Sequence, residues 1–409
     1  MNLLKDGLEE KSVIMTDLKK RLVIDNISHE YLVYKIRLDR LYYNDQNERI
    51  ATWITQYKSE NAIDAIELGD KKIYNNIIHE FITESNRDAI KKTQMNIKMI
   101  GQQEQGVVLL DGRIIDGNRR FTCLRNIEKE VGKSQYFEAV ILDHNIENNA
   151  KQIKMLELML QHGVDEKIGY NPIDRLVGIY TDIIDTQLLT VKEYADSVNL
   201  KENDIQIEVE KAELMIEFLE FINAPKQFHI ARHFNIVDPI KELHIMLKKV
   251  KDDEKKDDLK HIVFAQFLIQ PMGDTTRYMR KIKKIASSNR FLNEFLEEQM
   301  KIVEFVCDEL EKYPKVSKNE INIIRANDKR VNDKIKNNFL HSTEKFINKV
   351  DSDTTKNQPL KQIEKAFDSL DLIDTKILKK LSDEQRCEFR EKLDVIDQIV
   401  HSIRSGLDV

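Results

Sequence analysis

Between Tyr31 and Asp143 the apolar residues gather in three short runs, "YLVYKIRL", "QGVVLLDGRIID" and "YFEAVILD", each rich in Val, Ile, Leu or aromatics. Runs of that length and composition predict β-strands. Between the first two lie "ATWITQYKS", "KKIYNNIIHEFITES" and "DAIKKTQMNIKMIGQ", with apolar residues at helical spacing that no Gly or Pro interrupts. These predict helices. Asp111-Gly112 separates "GVVLL" from "RIID", and that dipeptide predicts a two-residue hairpin turn with positive backbone angles. From Asn148 onward the pattern is helical almost throughout, starting with "AKQIKMLELMLQHG" and "NPIDRLVGIYTDII".

The spacing of Thr190 and Glu193 predicts a capping box opening a short helix. A polar turn at Asn199 and a longer helix follow, an arrangement similar to a helix-turn-helix. "KDDEKKDDLK" at Lys251 reads as a linker or a solvated helix face, and "DSDTTKNQP" at Asp351 as a loop. The predicted class is α+β, a small mixed-sheet domain followed by a mostly α-helical region. Its expected parts are a helical extension at 1–30, the α+β domain at 31–147, a helical domain with the helix-turn-helix-like pair at 148–250, and a C-terminal helical domain at 251–409.

The chain has 409 residues, enough to bury a core without metal or disulfide staples. Nothing in it approaches the run of about eighteen apolar residues that a spanning helix needs, and "MNLLKDGLEEKSVIMTDLKK" lacks the order of a secretory signal. No membrane association and a cytoplasmic location are expected. Cys123, Cys307 and Cys387 are far apart, which fits a reducing compartment and gives no zinc or disulfide framework. The net charge of −6 argues against a uniformly basic nucleic-acid binder, so a site for a polyanion must be local.

One stretch offers such a site. After Arg113–Ile115 the chain passes through Asp116-Gly117-Asn118 into a helix whose Phe121, Leu124, Ile127 and Val131 form an apolar stripe. The first turn of a helix has backbone N–H groups without intrahelical partners. Arg119 and Arg120 place two permanent positive charges beside them. The pattern suits a phosphate or carboxylate; equally, Gly117 can simply make a turn while the arginines pair with Asp111 or Asp116.

"VVLLDGRIIDGNRRFTCLR" resembles the ParB/sulfiredoxin superfamily, in which a G-x-R-R or G-C-H-R element after a hairpin binds nucleotide phosphates. "IRLDRLYYNDQNER" is similar to that family's first box, with Asn44 and Arg49 at the separation of its N-P-x-Q-P-R element, and Gly101 stands at the usual helix end in "NIKMIGQQEQGVVLL". "LELMLQHGVDEKIGYNPIDRLVGIY" resembles the third ParB box, keeping Glu157 but carrying Leu158 and Gln161 at the Asn and Arg positions. The resemblance runs from Val33 to Phe221. It implies phosphate binding by Arg49, Gly117, Asn118, Arg119 and Arg120, CTP or ATP with magnesium as cofactor, and Glu157 as the metal-linked or water-orienting carboxylate. Sulfinic acid reduction is not implied, because Asn118 stands where sulfiredoxin has its cysteine. The D-G-N-R-R form is similar to that of ParB-like proteins of mobile elements and antiviral defence islands. If the chain is catalytic, a nucleotide triphosphatase or nuclease is expected.

DNA is the second expected partner. The acids Glu202, Asp204, Glu208, Glu210 and Glu213 on the second helix of the pair oppose phosphate approach. "TTRYMRKIKKIASSNR" is better placed: Arg277, Arg280, Lys281, Lys283, Lys284 and Arg290 carry no interleaved acid, and Tyr278 offers a stacking ring. A solvated helix face is the other reading of this cluster, and of the one from Lys315 to Lys336 that Glu320, Asp328 and Asp333 dilute. His229 and His233 in "HIARH" lack a third ligand and the glutamate of a zinc-protease motif. The alternative to nucleotide or DNA binding is a noncatalytic scaffold whose helical half recruits a partner protein or a second copy.

Overall fold

The structure is a computed structural model that describes residues 2–24, 27–142, 149–164, 171–288, 290–326 and 329–406. It is α+β: a five-stranded mixed sheet at the N-terminal end is followed by a mostly helical region. A single turn, α1 (Asp6–Glu9), precedes strands β1 (Val13–Ile24) and β2 (Ile27–Arg37). Helices α2 (Ala51–Asn61), α3 (Lys71–Ser85) and α4 (Arg87–Ile100) follow, then β3 (Gly106–Leu109), β4 (Ile114–Asp116), α5 (Asn118–Val131) and β5 (Tyr136–Leu142).

The strand order is β1-β2-β5-β3-β4, with β5 and β3 parallel and every other pair antiparallel. Side chains alternate between two cores. Val108, Ile114, Phe137, Ala139 and Ile141 face the layer of α3, α4 and α5, while Val107, Leu109, Ile115, Val140 and Leu142 face Ile153 and Leu156 of α6 (Ala150–Val164). Covering on both faces explains why β3 and β5 read as continuous apolar runs.

The helical extension expected at 1–30 does not form, because Val13–Ile24 is the outer strand of a long hairpin. It pairs with β2 from Val13↔Ile36 to Ile24↔Ile27, and that long-range ladder, not local propensity, decides its conformation. The hairpin turn also differs. Leu109 N–H donates to Arg113 O and Gly112 N–H to Leu109 O, so three residues make the turn, and of Asp111 and Gly112 only Gly112 has positive φ. A side chain there would meet Arg40 O at 2.3 Å.

Beyond the sheet come α7 (Pro172–Ile179), a π-helical turn (Tyr180–Asp185), α8 (Val191–Val198), α9 (Glu202–Phe221), α10 (Phe228–Phe234), α11 (Val237–Leu247), α12 (Asp253–Ile269), α13 (Thr275–Ala286), α14 (Leu292–Leu310), α15 (Lys318–Ala326), α16 (Lys329–Asp371), α17 (Thr375–Leu378) and α18 (Asp383–Ser405). The predicted capping box is present at α8, with Thr190 Oγ1 accepting from Glu193 N–H and Glu193 accepting from Thr190 N–H. "DSDTTKNQP" is not a loop. α16 runs through it with Pro359 inside, and the exposed Asp351, Ser352 and Gln358 keep their polar groups in water within the helix.

The chain divides into two compact units, Met1–Phe346 and Ile347–Val409. The boundary expected between 147 and 148 lies outside the described residues, but α6 just after it shares the sheet's second core. The boundary expected at 251 is absent: Phe218 of α9 meets Phe264 and Phe267 of α12 at ring separations of 5.8 and 5.6 Å. Those rings bury one continuous core.

Candidate functional site

A cleft of about 220 Å³ opens where β4 hands over to α5, walled by Gly117, Asn118, Arg119 and Arg120, by Arg49 and Asn47 ahead of α2, by Lys20 of β1, and by Leu160 and Gln161 of α6. The sequence residues expected to hold phosphate therefore do come together. Gly117 has φ +107° and caps α5 without any side-chain hydrogen bond, and no acid occupies the helix's first turn. The partial positive charge of that end is thus not spent on a protein carboxylate. Asn118 is 6% exposed and its Oδ1 has no hydrogen-bond partner. Such a buried acceptor costs about 1–3 kcal/mol unless something outside the protein satisfies it.

Arg120 Nη2 donates to Asp116 Oδ2 at 2.7 Å and its Nη1 to Glu104 O at 2.7 Å. The second of the alternatives left open by the sequence thus holds for Arg120, although both arginines line the cleft. Gly117 serves packing as well as the turn, for a Cβ would stand 2.6 Å from Phe137 Cζ. Lys20 Nζ donates to Gln105 O, and burial lowers its pKa against the opposing pull of Asp116.

Glu157 does not line the cleft. It is buried at 1% exposure behind Gln161, whose Nε2 donates to Glu157 Oε1 at 2.8 Å. Lys154 Nζ lies 3.2 Å from Asp182, 3.4 Å from Glu48 and 4.0 Å from Glu157. Three carboxylates thus surround one ammonium. Desolvation pushes Glu157 up to about 7 and Asp182 to about 6, with Lys154 opposing both shifts. Lys154 itself is raised, because the three carboxylates outweigh its burial. The expected metal-linked carboxylate is therefore a member of an internal charge cluster. That cluster fixes Glu48, the neighbour of Arg49, against α6 and the π-helical turn.

Sequence reasoning missed Lys20, Trp53 and Arg232. Lys20 sat in the supposed helical extension. Arg232 lies between the two histidines of "HIARH", and no periodicity ties it to Trp53. In the structure its guanidinium is 4.1 Å from the Trp53 ring, with Nη1 on Thr52 Oγ1 and Nη2 on Gln56 Oε1, both 2.9 Å. Burial lowers the pKa of both histidines, His229 to about 4, and among the described residues no group of three or more His, Cys, Asp or Glu could hold a metal.

On α13, Arg280 and Lys283 share Glu242 at 3.2 and 2.9 Å. Tyr278 is no stacking ring: it is buried, and its hydroxyl bonds Phe339 O and Thr343 Oγ1 at 3.1 and 2.8 Å. Arg277 and Lys284 are exposed, and Lys281 is partly so. In the second basic cluster, the side chains of Lys329 and Arg330 lie outside the described residues. α9 buries Ile205, Val209, Ala212, Leu214, Met215, Phe218 and Leu219, so it is a core helix for most of its length. No helix among the described residues is long and apolar enough to cross a membrane. No known protein family and no curated protein matches the chain.

The cleft's residues fit a phosphate group through an uncapped helix start and cationic side chains from three directions, while the unused acceptor of Asn118 calls for a hydrogen-bond donor beside it. They do not fit magnesium equally well. Asp116 is engaged by Arg120, and Glu157 faces Lys154 and Gln161.

Proposed function

We propose that this protein binds a nucleotide through its phosphates at the start of α5, with Arg49, Asn118 and Arg119 as contacts and Arg120 as the residue that neutralises Asp116. The observation that carries the reading is the start of α5, opened by Gly117 with no side-chain cap and no acid in the first turn and lined by Arg49 and Arg119; the buried, unsatisfied Oδ1 of Asn118 beside it would accept from a hydroxyl or amino group of the same nucleotide. The resemblance of the same stretch to the ParB/sulfiredoxin superfamily supports it and suggests CTP or ATP. Titration calorimetry with CTP, ATP and GTP, with and without magnesium, tests it. Binding of one of them, weakened at least tenfold by Arg119→Ala and by Asn118→Ala, is the expected result; heat from none of the three removes the reading.

DNA binding in a mobile-element or defence setting remains the wider proposal, resting on Arg277, Lys281 and Lys284. Affinity for duplex DNA that falls steeply with salt and drops in Arg277→Ala with Lys281→Ala supports it; affinity unaltered by the pair sinks it.

A second reading, assembly through the C-terminal unit, is favoured by α18. Phe389, Leu393, Ile396, Val400 and Ile403 recur at alternating spacings of four and three, yet no residue of this helix is buried. Such a stripe is a coiled-coil seam in want of a partner. Light scattering should find a dimer that Leu393→Glu with Val400→Glu reduces to a monomer, and a monomer at every concentration of the unaltered chain would refute self-association.

A further inference from the structure

A second lobe, of about 260 Å³, continues from the first and shares Arg49, Ser85 and Arg119 with it. Its far wall is Arg232, Trp53, Asn171 and Asp174. Arg232 comes from α10, far outside the sheet, and is preorganised: its fork is held by the neutral oxygens of Thr52 and Gln56 and its plane rests on Trp53. Those contacts orient the guanidinium without cancelling its charge. Three arginines thus line the lobe against one carboxylate, Asp174, which is 2% exposed and accepts from Thr52 N–H at 3.1 Å. Arg232 covers one face of Trp53, and the three arginines make the lobe well suited to an anion.

We propose that the second lobe receives a further phosphate of the ligand bound at the start of α5, so that the ligand is a nucleoside polyphosphate and Arg232 is one of its binding residues. This rests on the reading of the first lobe given above. A chain of linked phosphates would pass from the helix end, across Arg119 and Arg49, to Arg232. Sheet and helical region would then meet on one ligand, and the added contact with Arg232 would favour di- and triphosphates over monophosphates.

The test compares affinities for the mono-, di- and triphosphate of whichever nucleoside binds, with inorganic phosphate and tripolyphosphate as base-free arms, in the full-length chain and in Arg232→Gln. The triphosphate should bind at least tenfold more tightly than the monophosphate, tripolyphosphate more tightly than phosphate, and Arg232→Gln should bring the first ratio close to one. Arg232→Lys, which keeps the charge and loses the fork, should give an intermediate ratio and stands in if Arg232→Gln does not fold. Equal affinity for mono- and triphosphate, or a ratio that Arg232→Gln leaves unchanged, overturns this inference while leaving phosphate binding at α5 intact. Absence of binding by every one of these ligands overturns both.

Discussion

Arg120 and Asp116, four residues apart, are joined across the start of α5 by a 2.7 Å bond between Nη2 and Oδ2, with both side chains mostly buried. Both arginines line the cleft, and Arg120 is in addition a tie that holds Asp116 and Glu104 O in place. Arg120→Ala leaves Asp116 and Glu104 O without their donor and should cost about 1–3 kcal/mol of stability, read as a shift of the urea midpoint. Arg119→Ala should act chiefly on ligand affinity. Replacing both partners, Asp116→Asn with Arg120→Gln, should recover much of the lost stability, since no charge is then stranded.

Behind the cleft, Glu157, Glu48 and Asp182 compete for Lys154, with Gln161 and Tyr194 as the polar neighbours. Glu157 at about 7 and Asp182 at about 6 hold their protons more tightly in the folded chain than in the unfolded one. For a carboxyl group raised in this way, the stabilising contribution is complete below the unfolded pKa of about 4 and is lost as pH rises through the folded value. Thermal stability should therefore fall between pH 5 and 8 by more than the exposed carboxylates account for. Glu157→Gln keeps an acceptor for Gln161 and removes the titration. It should flatten that slope and raise the melting temperature at pH 8 but not at pH 5; an unaltered slope refutes the assignment.

Much of this was legible from local pattern. The strand runs, the amphipathic α5 and the Thr190–Glu193 box all depend on neighbours within a few residues, and each is present. Phe121, Leu124 and Ile127 are buried as the stripe predicts, although Val131 at its end is exposed. The misses are long-range. β1 is a strand because β2 pairs with it, Lys20 enters the cleft only through that pairing, and Arg232 reaches Thr52 across 180 residues of sequence. Glu157 looked available because a helical period cannot tell a side chain facing a cleft from one facing a buried lysine. Tyr278 misled for the same reason: its basic neighbours hid that its own helix face is the apolar one.

Gly178, where α7 runs on into the π-helical turn, offers a case where helix propensity predicts the wrong sign. Glycine to alanine inside a helix ordinarily gains about 1 kcal/mol. Here the added Cβ would stand 2.3 Å from Glu48 Cδ and 2.7 Å from its Oε1, and Glu48 cannot swing away without leaving Lys154. Gly178→Ala should instead destabilise by about 1–3 kcal/mol, measured by denaturant unfolding. The same substitution made in a Glu48→Ala background should cost distinctly less, and a double-mutant cycle reads the difference.

Asp174 should govern how binding in the second lobe depends on pH. Its carboxylate is held by Thr52 N–H; Arg232 favours its ionised form and Glu48 opposes it, but burial dominates and pushes it up to about 6. Above that value it is a negative charge in the wall that an incoming phosphate must approach; below it the charge is gone while the arginines stay protonated. Polyphosphate affinity should accordingly rise several-fold as pH falls from 7.5 to 5.5, before any contribution from the phosphate's own titration. That second contribution is separated by Asp174→Asn, which preserves the acceptor for Thr52 and cannot titrate. The variant should bind triphosphate more tightly than the natural chain at pH 7.5 and about equally at pH 5.5. Were the two to show parallel pH profiles, the carboxylate would be too well shielded by Arg232 to matter, and Asp174 would be only a packing and hydrogen-bonding residue of α7.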